Sequence, residues 1–304
     1  MQTKKRFKLK KERVELTLLF VPFLIYIIAF KYVPIAGWAL SFVRYKPGLQ
    51  FWQCKFVGLE NFTHIFAQGK TFLKVMKNTM VMSGLDLLFF PIPMVFAILL
   101  SEIKSNTFKK YVQILTTIPH FVSWIIIYAL SYALFSTEGV VNTVLMNMGV
   151  VDRATNILAS KNVVWIFHAL LNVWKNLGWN AIIYFAAISG IDSELYEAAS
   201  IDGAGRFQKI RYITLPGISS TFFTLLLLHI SKILDSGLEH YLAFYNSIVA
   251  DKITVLDLYT YRLGLVSGDY STSTAVGIMK TAVSLTLLFS ANALSKKIRG
   301  HGIV

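Results

Sequence analysis

A helix that crosses a bilayer needs about 20 consecutive, mostly apolar residues. Six stretches of this 304-residue chain meet that requirement, at about 15–38, 78–100, 111–135, 162–191, 213–234 and 272–294. In hydrocarbon every backbone N–H and C=O must be satisfied within the segment, which leaves helices as the form such stretches take. The chain is 55% hydrophobic and 15% charged, where a soluble domain carries roughly 25% charged residues. A soluble core has no room for this much apolar surface. The expected fold class is therefore an all-α polytopic membrane protein with six transmembrane helices. No internal repeat or low-complexity linker divides it. One membrane domain, residues 15–295, is expected between a basic tail at 1–14 and a short tail at 296–304.

The formal net charge is +14, which raises the question of nucleic acid. The basic residues sit in short runs between apolar stretches, with no long basic face and no nucleic-acid motif, so nucleic acid is not an expected partner. They fit contact with anionic lipid and the positive-inside rule. Six spans put both termini on one side. The segments on that side (the N-terminal tail, 101–110, 194–216 and the C-terminal tail) hold sixteen Lys and Arg, and the longer opposite segments 31–70, 137–161 and 235–269 hold nine. The rule places both termini, and the stretch 194–216, in the cytoplasm. The run Lys4–Lys11 followed by apolar residues resembles a signal peptide, but no small-residue cleavage site follows, so it reads as an uncleaved first helix. The one cysteine, Cys54, permits no intrachain disulfide, and no Cys/His metal spacing is present.

Ionisable residues at membrane depth are costly and usually face a partner or a water-filled path. Asp86, Lys175 and Lys280 are the candidates. Asp86 and Lys280 fall at a similar depth, so a pair between them is one expectation, and the other is that each snorkels or meets water separately. The fourth stretch also carries Asn172, Asn176, Trp179 and Asn180 at three- and four-residue spacing, which can share one helix face. Amides and an indole plane suit a sugar, with its hydroxyl edges and apolar ring faces, so these four are the candidate substrate path. Interhelical hydrogen bonding is the competing use of the same groups. His120 and Trp124 are spaced i, i+4 and are expected to pack as a pair. The last outer segment, 235–270, is rich in tyrosine and phenylalanine. It reads as a loop anchored at the interface by aromatics, or as a mouth that receives a ligand or a docking protein.

The stretch Glu194–Pro216 is the polar exception between apolar segments. Ser193 is its expected helix cap, with acids in the first turn. Gly203 and Gly205 break the helix, a second short helix follows, and Pro216 suits the first turn of the next span. Ala198, Ala199 and Gly203 are small enough for another surface to approach, and Glu197, Asp202 and Arg206 supply polar contacts. A solvated connection is the plain alternative.

The spacing Glu197-Ala198-Ala199, Gly203, Ile213, Leu215-Pro216 is similar to the "EAA" loop of ABC importer permeases. The six stretches, the element Gly58–Phe62, Ile191-Asp192 and the segment Thr274–Lys280 also resemble carbohydrate-uptake permeases. The likeness is to the branch that imports complex oligosaccharides, distantly related to maltose permease subunits. The resemblance implies a type I importer permease in which the loop at 193–212 forms a cytoplasmic coupling helix. Glu197, Ala198, Ala199, Asp202, Gly203 and Arg206 would then meet a cytoplasmic ATPase, of which two copies are implied. A second permease chain, homologous and expected to be non-identical, an extracellular sugar-binding protein and an oligosaccharide complete the implied assembly. The chain itself lacks the phosphate-binding Gly-x-x-x-x-Gly-Lys-Ser/Thr loop. It is therefore expected to be no enzyme and to hold no cofactor, with ATP and magnesium on the partner ATPase. The membrane would be the plasma membrane of a prokaryote. An ion-coupled secondary transporter is the alternative, with Asp86 as its coupling carboxylate. A membrane enzyme is a weaker third reading, since no nucleophile–base pair or metal cluster is visible in the sequence.

Overall fold

A computed structural model describes residues 11–67 and 69–299. The chain forms two compact units, one up to Ala67 together with Arg262–Ile278, the other up to Tyr261 together with the chain from Met279 onward.

In the first unit, α1 (Lys11–Ile27) continues through a widened turn at Ile28–Tyr32 into a tight 3₁₀ stretch at Val33–Phe42. Its apolar span, Leu16–Phe42, has none of its hydropathic window buried within the chain. A hairpin follows, β1 (Val43–Arg44) antiparallel to β2 (Lys55–Phe56), with Val43 opposite Phe56. Helix α2 (Glu60–Ala67) closes it. The amide of Asn61 donates to the carbonyls of Ser41 and Val43 at 2.8 and 3.0 Å, and Arg44 pairs with Glu60. Gly58 sits at φ +57°, which a side chain would strain. The backbone N–H of Tyr45 donates to Ser271 Oγ at 2.9 Å. Ser271 lies in the first turn of α15 (Tyr270–Arg299), where the N–H of Thr272 donates to Asp269.

The second unit begins with α3 (Lys70–Phe89) and α4 (Ile92–Ser101). They break at Phe90-Pro91, where two prolines in three residues remove backbone donors. Then come α5 (Asn106–Phe121), α6 (Trp124–Phe135), α7 (Val140–Asn147) and the long α8 (Val164–Ser189). After them lie α9 (Ser193–Ile201), α10 (Arg206–Lys209) and α11 (Leu215–Ser231), the last two joined by a widened helical turn at Ile210–Thr214. That turn precedes Pro216, whose ring would otherwise press on the carbonyl four residues back. Three short helices, α12 (Leu238–Ala243), α13 (Ala250–Ile253) and α14 (Leu256–Tyr261), follow, and the unit resumes with the part of α15 from Met279.

Helix α8 is the axis of this unit and packs against α3, α4, α5 and α11. Its crossing with α5 depends on Gly178, because a Cβ there would lie 2.4 Å from the Thr116 carbonyl carbon. Small residues at such crossings let membrane helices approach closely. Among the described residues, five helices are long and apolar enough to cross a membrane: Leu16–Phe42, Lys70–Ser101, Trp124–Asn147, Arg206–Ser231 and Tyr270–Lys297. The 26-residue α8 is as long as these, but its polar side chains keep it out of that group.

Two expectations change. The third stretch, 111–135, is two helices rather than one, parted by extended backbone at Val122 and Ser123 (ψ 132° and 152°). The segment 235–261 is folded rather than a loop laid on the interface. Tyr241, Val249, Ile253, Val255 and Leu258 join Met82 of α3 and Val164 and Ala169 of α8 in one core cluster. Phe244 packs instead with Ile127 of α6 and Leu158. The aromatics of that segment serve burial first.

Candidate functional site

Two regions hold the expected site residues. The first is the turn between α9 and α10. The carboxylate of Asp192, not Ser193, caps α9, accepting from the Glu194 N–H at 3.0 Å. Aspartate here also places negative charge at the positive end of the helix. The helix closes on Gly203, at φ +77°, with the Ala204 N–H donating to Ala199 O at 2.8 Å. Gly205 opens α10, its N–H held by Gln208 Oε1 at 2.7 Å. Tyr196 reaches inward to the buried Thr214, hydroxyl to hydroxyl, at 2.9 Å. Lys209 donates to Ser200 across the turn at 2.6 Å. The turn is thus held by its own hydrogen bonds.

Glu197, Ala198, Asp202, Gly203 and Arg206 are exposed and Ala199 is half-buried, so this structure presents the candidate coupling residues on one surface segment. Two apolar side chains stand beside them, Ile201 and Phe207, each 88% exposed. Sequence reasoning passed over both. Their signal was the presence of large apolar residues inside the one polar stretch, where nothing local would bury them.

The second region is a cavity of about 370 Å³ between α3, α4, α8 and α11. Asp86, Asn172, Asn176, Asn180, His229 and Lys232 are its polar lining, with Asp86 and His229 close enough to interact electrostatically, and Phe89 and Tyr184 are among its aromatic lining. Three amides of the expected substrate path therefore share the cavity. Trp179 does not line it. Its ring stacks on His120 at 4.5 Å with an interplanar angle of 1°.

A directed hydrogen-bond chain runs behind the amides. The His120 Nδ1–H donates to Asn176 Oδ1 at 2.9 Å, the orientation required because a carbonyl oxygen only accepts. Asn176 Nδ2 donates to Asn172 Oδ1 at 2.8 Å, and Asn172 Nδ2 donates to Asp86 Oδ1 at 3.2 Å. Every link points toward the carboxylate.

The other intramembrane candidates resolve differently. The expected pair between Asp86 and Lys280 is not formed. Lys280 instead pairs with Asp257, which also accepts from the Ser236 N–H, and with Asp235 at 3.3 Å. Sequence reasoning missed these partners because they lie in the segment taken for an interfacial loop. Lys175 is buried, and its ammonium donates to the carbonyls of Pro119, His120 and Val122 at 2.5–3.1 Å. It closes the end of α5, where the last carbonyls carry partial negative charge and, of the three, only Pro119 also accepts a backbone N–H, from Val122. His120 and Trp124, expected to pair, lie on opposite sides of this break. Trp124 stacks on His240 at 3.8 Å, and His240 Nε2 meets His168 Nδ1 at 2.8 Å. Burial, with His168 and Lys175 nearby, holds His240 well below the ordinary histidine range. No group of three metal-ligating side chains occurs among the described residues.

The chain is similar over most of its length to proteins of known kind. It is 40% identical over 290 residues to the polygalacturonan/rhamnogalacturonan transport system permease protein YteP of Bacillus subtilis (strain 168), covering 95% of this chain and 89% of that one. It superposes on a chain of a bacterial alginate ABC transporter, solved in complex with an alginate pentasaccharide-bound periplasmic protein. There the TM-score is 0.87 at 34% identity, with 96% of this chain and 98% of that one covered. A second structure, of a bacterial ABC transporter involved in the import of the acidic polysaccharide alginate, gives a TM-score of 0.85 at 33% identity, covering 95% and 97%. The family model for the binding-protein-dependent transport system inner membrane component matches residues 89–300. That range takes in every lining residue of the cavity except Asp86, the α9–α10 turn and the last long helix, and this chain belongs to that family.

Proposed function

We propose that the chain is the membrane permease subunit of an ATP-binding-cassette importer for an oligosaccharide. The observation that carries this reading is full-length likeness, at 34% identity, to a chain of an ABC transporter solved with a sugar-loaded periplasmic protein. Its six spans are the five long apolar helices and α8. Their basic flanks favour cytoplasmic N- and C-termini in the plasma membrane of a prokaryote. The α9–α10 turn then faces the cytoplasm and docks on the ATPase. Glu197, Ala198, Ala199, Asp202, Gly203 and Arg206 form the contact, and Ile201 and Phe207 supply its apolar anchors, since exposed large apolar side chains in a polar surround mark interaction sites. A homologous second permease completes the path, two ATPase copies hold ATP and magnesium, and an extracellular binding protein delivers the sugar. Asn172, Asn176 and Asn180 belong to the path.

Binding of ATP to one conformation in preference to the other supplies the drive. The closed ATPase pair pulls on the turn, and the cavity region opens toward the binding protein. On reopening, the cargo leaves inward. Family membership weighs against the ion-coupled alternative, and Asp86 needs no coupling role once it lies among amides in a cavity.

Affinity purification of the full chain from membranes in mild detergent tests this. Co-purification of an ATPase and a second permease is expected. Isolation as a lone chain that still catalyses uptake would overturn it.

A further inference from the structure

We infer that Asp86 is a specificity-determining residue of the permease cavity, its carboxylate accepting hydroxyl groups from one neutral sugar unit of the passing cargo. The inference rests on the importer reading above and adds a ligand chemistry to one atom group within it.

An ionised carboxylate has about four acceptor sites. The structure fills one, on Oδ1, from Asn172 at 3.2 Å. Among the described residues nothing else donates a hydrogen bond to Asp86; His229 of α11 lies near enough to interact with it electrostatically but forms no ion pair, and Lys280 is held by Asp257 and Asp235. A carboxylate at membrane depth with so few partners is costly unless it serves a ligand or water. It borders a cavity of about 370 Å³, within the range of small-molecule sites.

The chain from His120 through Asn176 and Asn172 fixes the direction of the amides. Asn176 Nδ2 is spent on Asn172, and one N–H of Asn172 is spent on Asp86, so the carboxylate that ends the series presents acceptor capacity and takes further donors. Hydroxyls are donors without charge, and a sugar ring offers several at fixed separation. A second carboxylate would be repelled at this point, so the unit seated on Asp86 is neutral. Phe89 and Tyr184 offer apolar surface to the ring faces.

The test uses the assembled transporter with its ATPase and binding protein, reconstituted in vesicles and offered a panel of neutral and uronate oligosaccharides. Imported species are identified by mass spectrometry of the lumen. Asp86→Asn keeps the side-chain shape and an oxygen for Asn172, so a merely structural role survives it. Loss of a charged acceptor is expected to raise the half-saturating concentration about 10- to 100-fold, with the maximal rate far less affected. Unchanged half-saturation would overturn the inference.

A measurement on the wild-type complex covers the case in which the variant fails to assemble. Carbodiimide modification of Asp86, located by peptide mapping, should slow when the panel and sugar-loaded binding protein are present during turnover. An unchanged rate would overturn the inference, whatever the variant does. The importer reading fails separately, by a wild-type complex that takes up none of the panel and binds no ATPase.

Discussion

The chain has two polar exceptions to an otherwise apolar pattern, the α9–α10 turn and the inner face of α8. They use their polarity in opposite ways. Along α8 the polar groups are largely engaged within the fold, Asn180 being the exposed amide that lines the cavity. Lys175 closes the end of α5, and Asn176 and Asn172 pass a hydrogen-bond chain to Asp86. In the turn the hydrogen bonds hold only the local shape, and the proposed docking surface is left open, with Ile201 and Phe207 both 88% exposed. A polar interruption in a membrane protein thus says that something must be satisfied there. Whether the partner is another helix or another molecule depends on how much of the capacity the fold itself fills.

Each region contains a glycine, and the same substitution separates them. Gly178→Leu should have the largest effect on stability. Its Cβ would stand 2.4 Å from the α5 backbone, and backbone gives way less readily than a side chain. The loss should exceed the roughly 1–3 kcal/mol of ordinary overpacking, and the variant should be recovered poorly from membranes. Thermal unfolding in detergent measures it. A melting temperature equal to wild type would mean that α5 and α8 do not cross at this point.

Much of the turn was legible in the sequence, because its determinants are local: a cap, a run of small residues and a glycine. Even there the cap is Asp192 and not Ser193, a difference of one residue between two good capping types. The periodic amides of α8 were legible as one face. What they faced was not, because the partners come from distant segments: Asp86 lies 86 residues from Asn172, and Pro119 lies 56 from Lys175. The break at Val122-Ser123 has the same origin. The apolar run 111–135 reads as one span, and a lysine from another helix supplies what lets it end early. The core made by Tyr241 and Leu258 was hidden because interfacial and buried aromatics have the same composition.

A smaller effect is expected at Lys175. Lys175→Met fits the volume but leaves the carbonyls of His120 and Val122 without their donor, while Pro119 keeps the Val122 N–H. Each orphaned group costs about 1–3 kcal/mol. The gain from removing a buried ammonium offsets part of this. Lys175→Arg keeps the donors and should recover most of the loss. If Met is as stable as Lys, the ammonium does not close α5, and the contrast between filled and open polar regions weakens.

The smallest effect on stability belongs to Gly203→Leu. A Cβ there meets nothing within 4 Å, so the only cost is the left-handed backbone at φ +77°. That is about 1–2 kcal/mol for a residue with a side chain, and it falls on an exposed turn. The unfolding curve should therefore lie close to wild type. The proposed docking role requires that function fall regardless, because the new side chain stands on the surface the ATPase would approach. ATPase co-purification, or the ratio of sugar imported to ATP hydrolysed in vesicles, reads this separately from folding. A stable variant that transports normally would show that the open surface is solvated and unused, and the two polar regions would then differ in exposure alone.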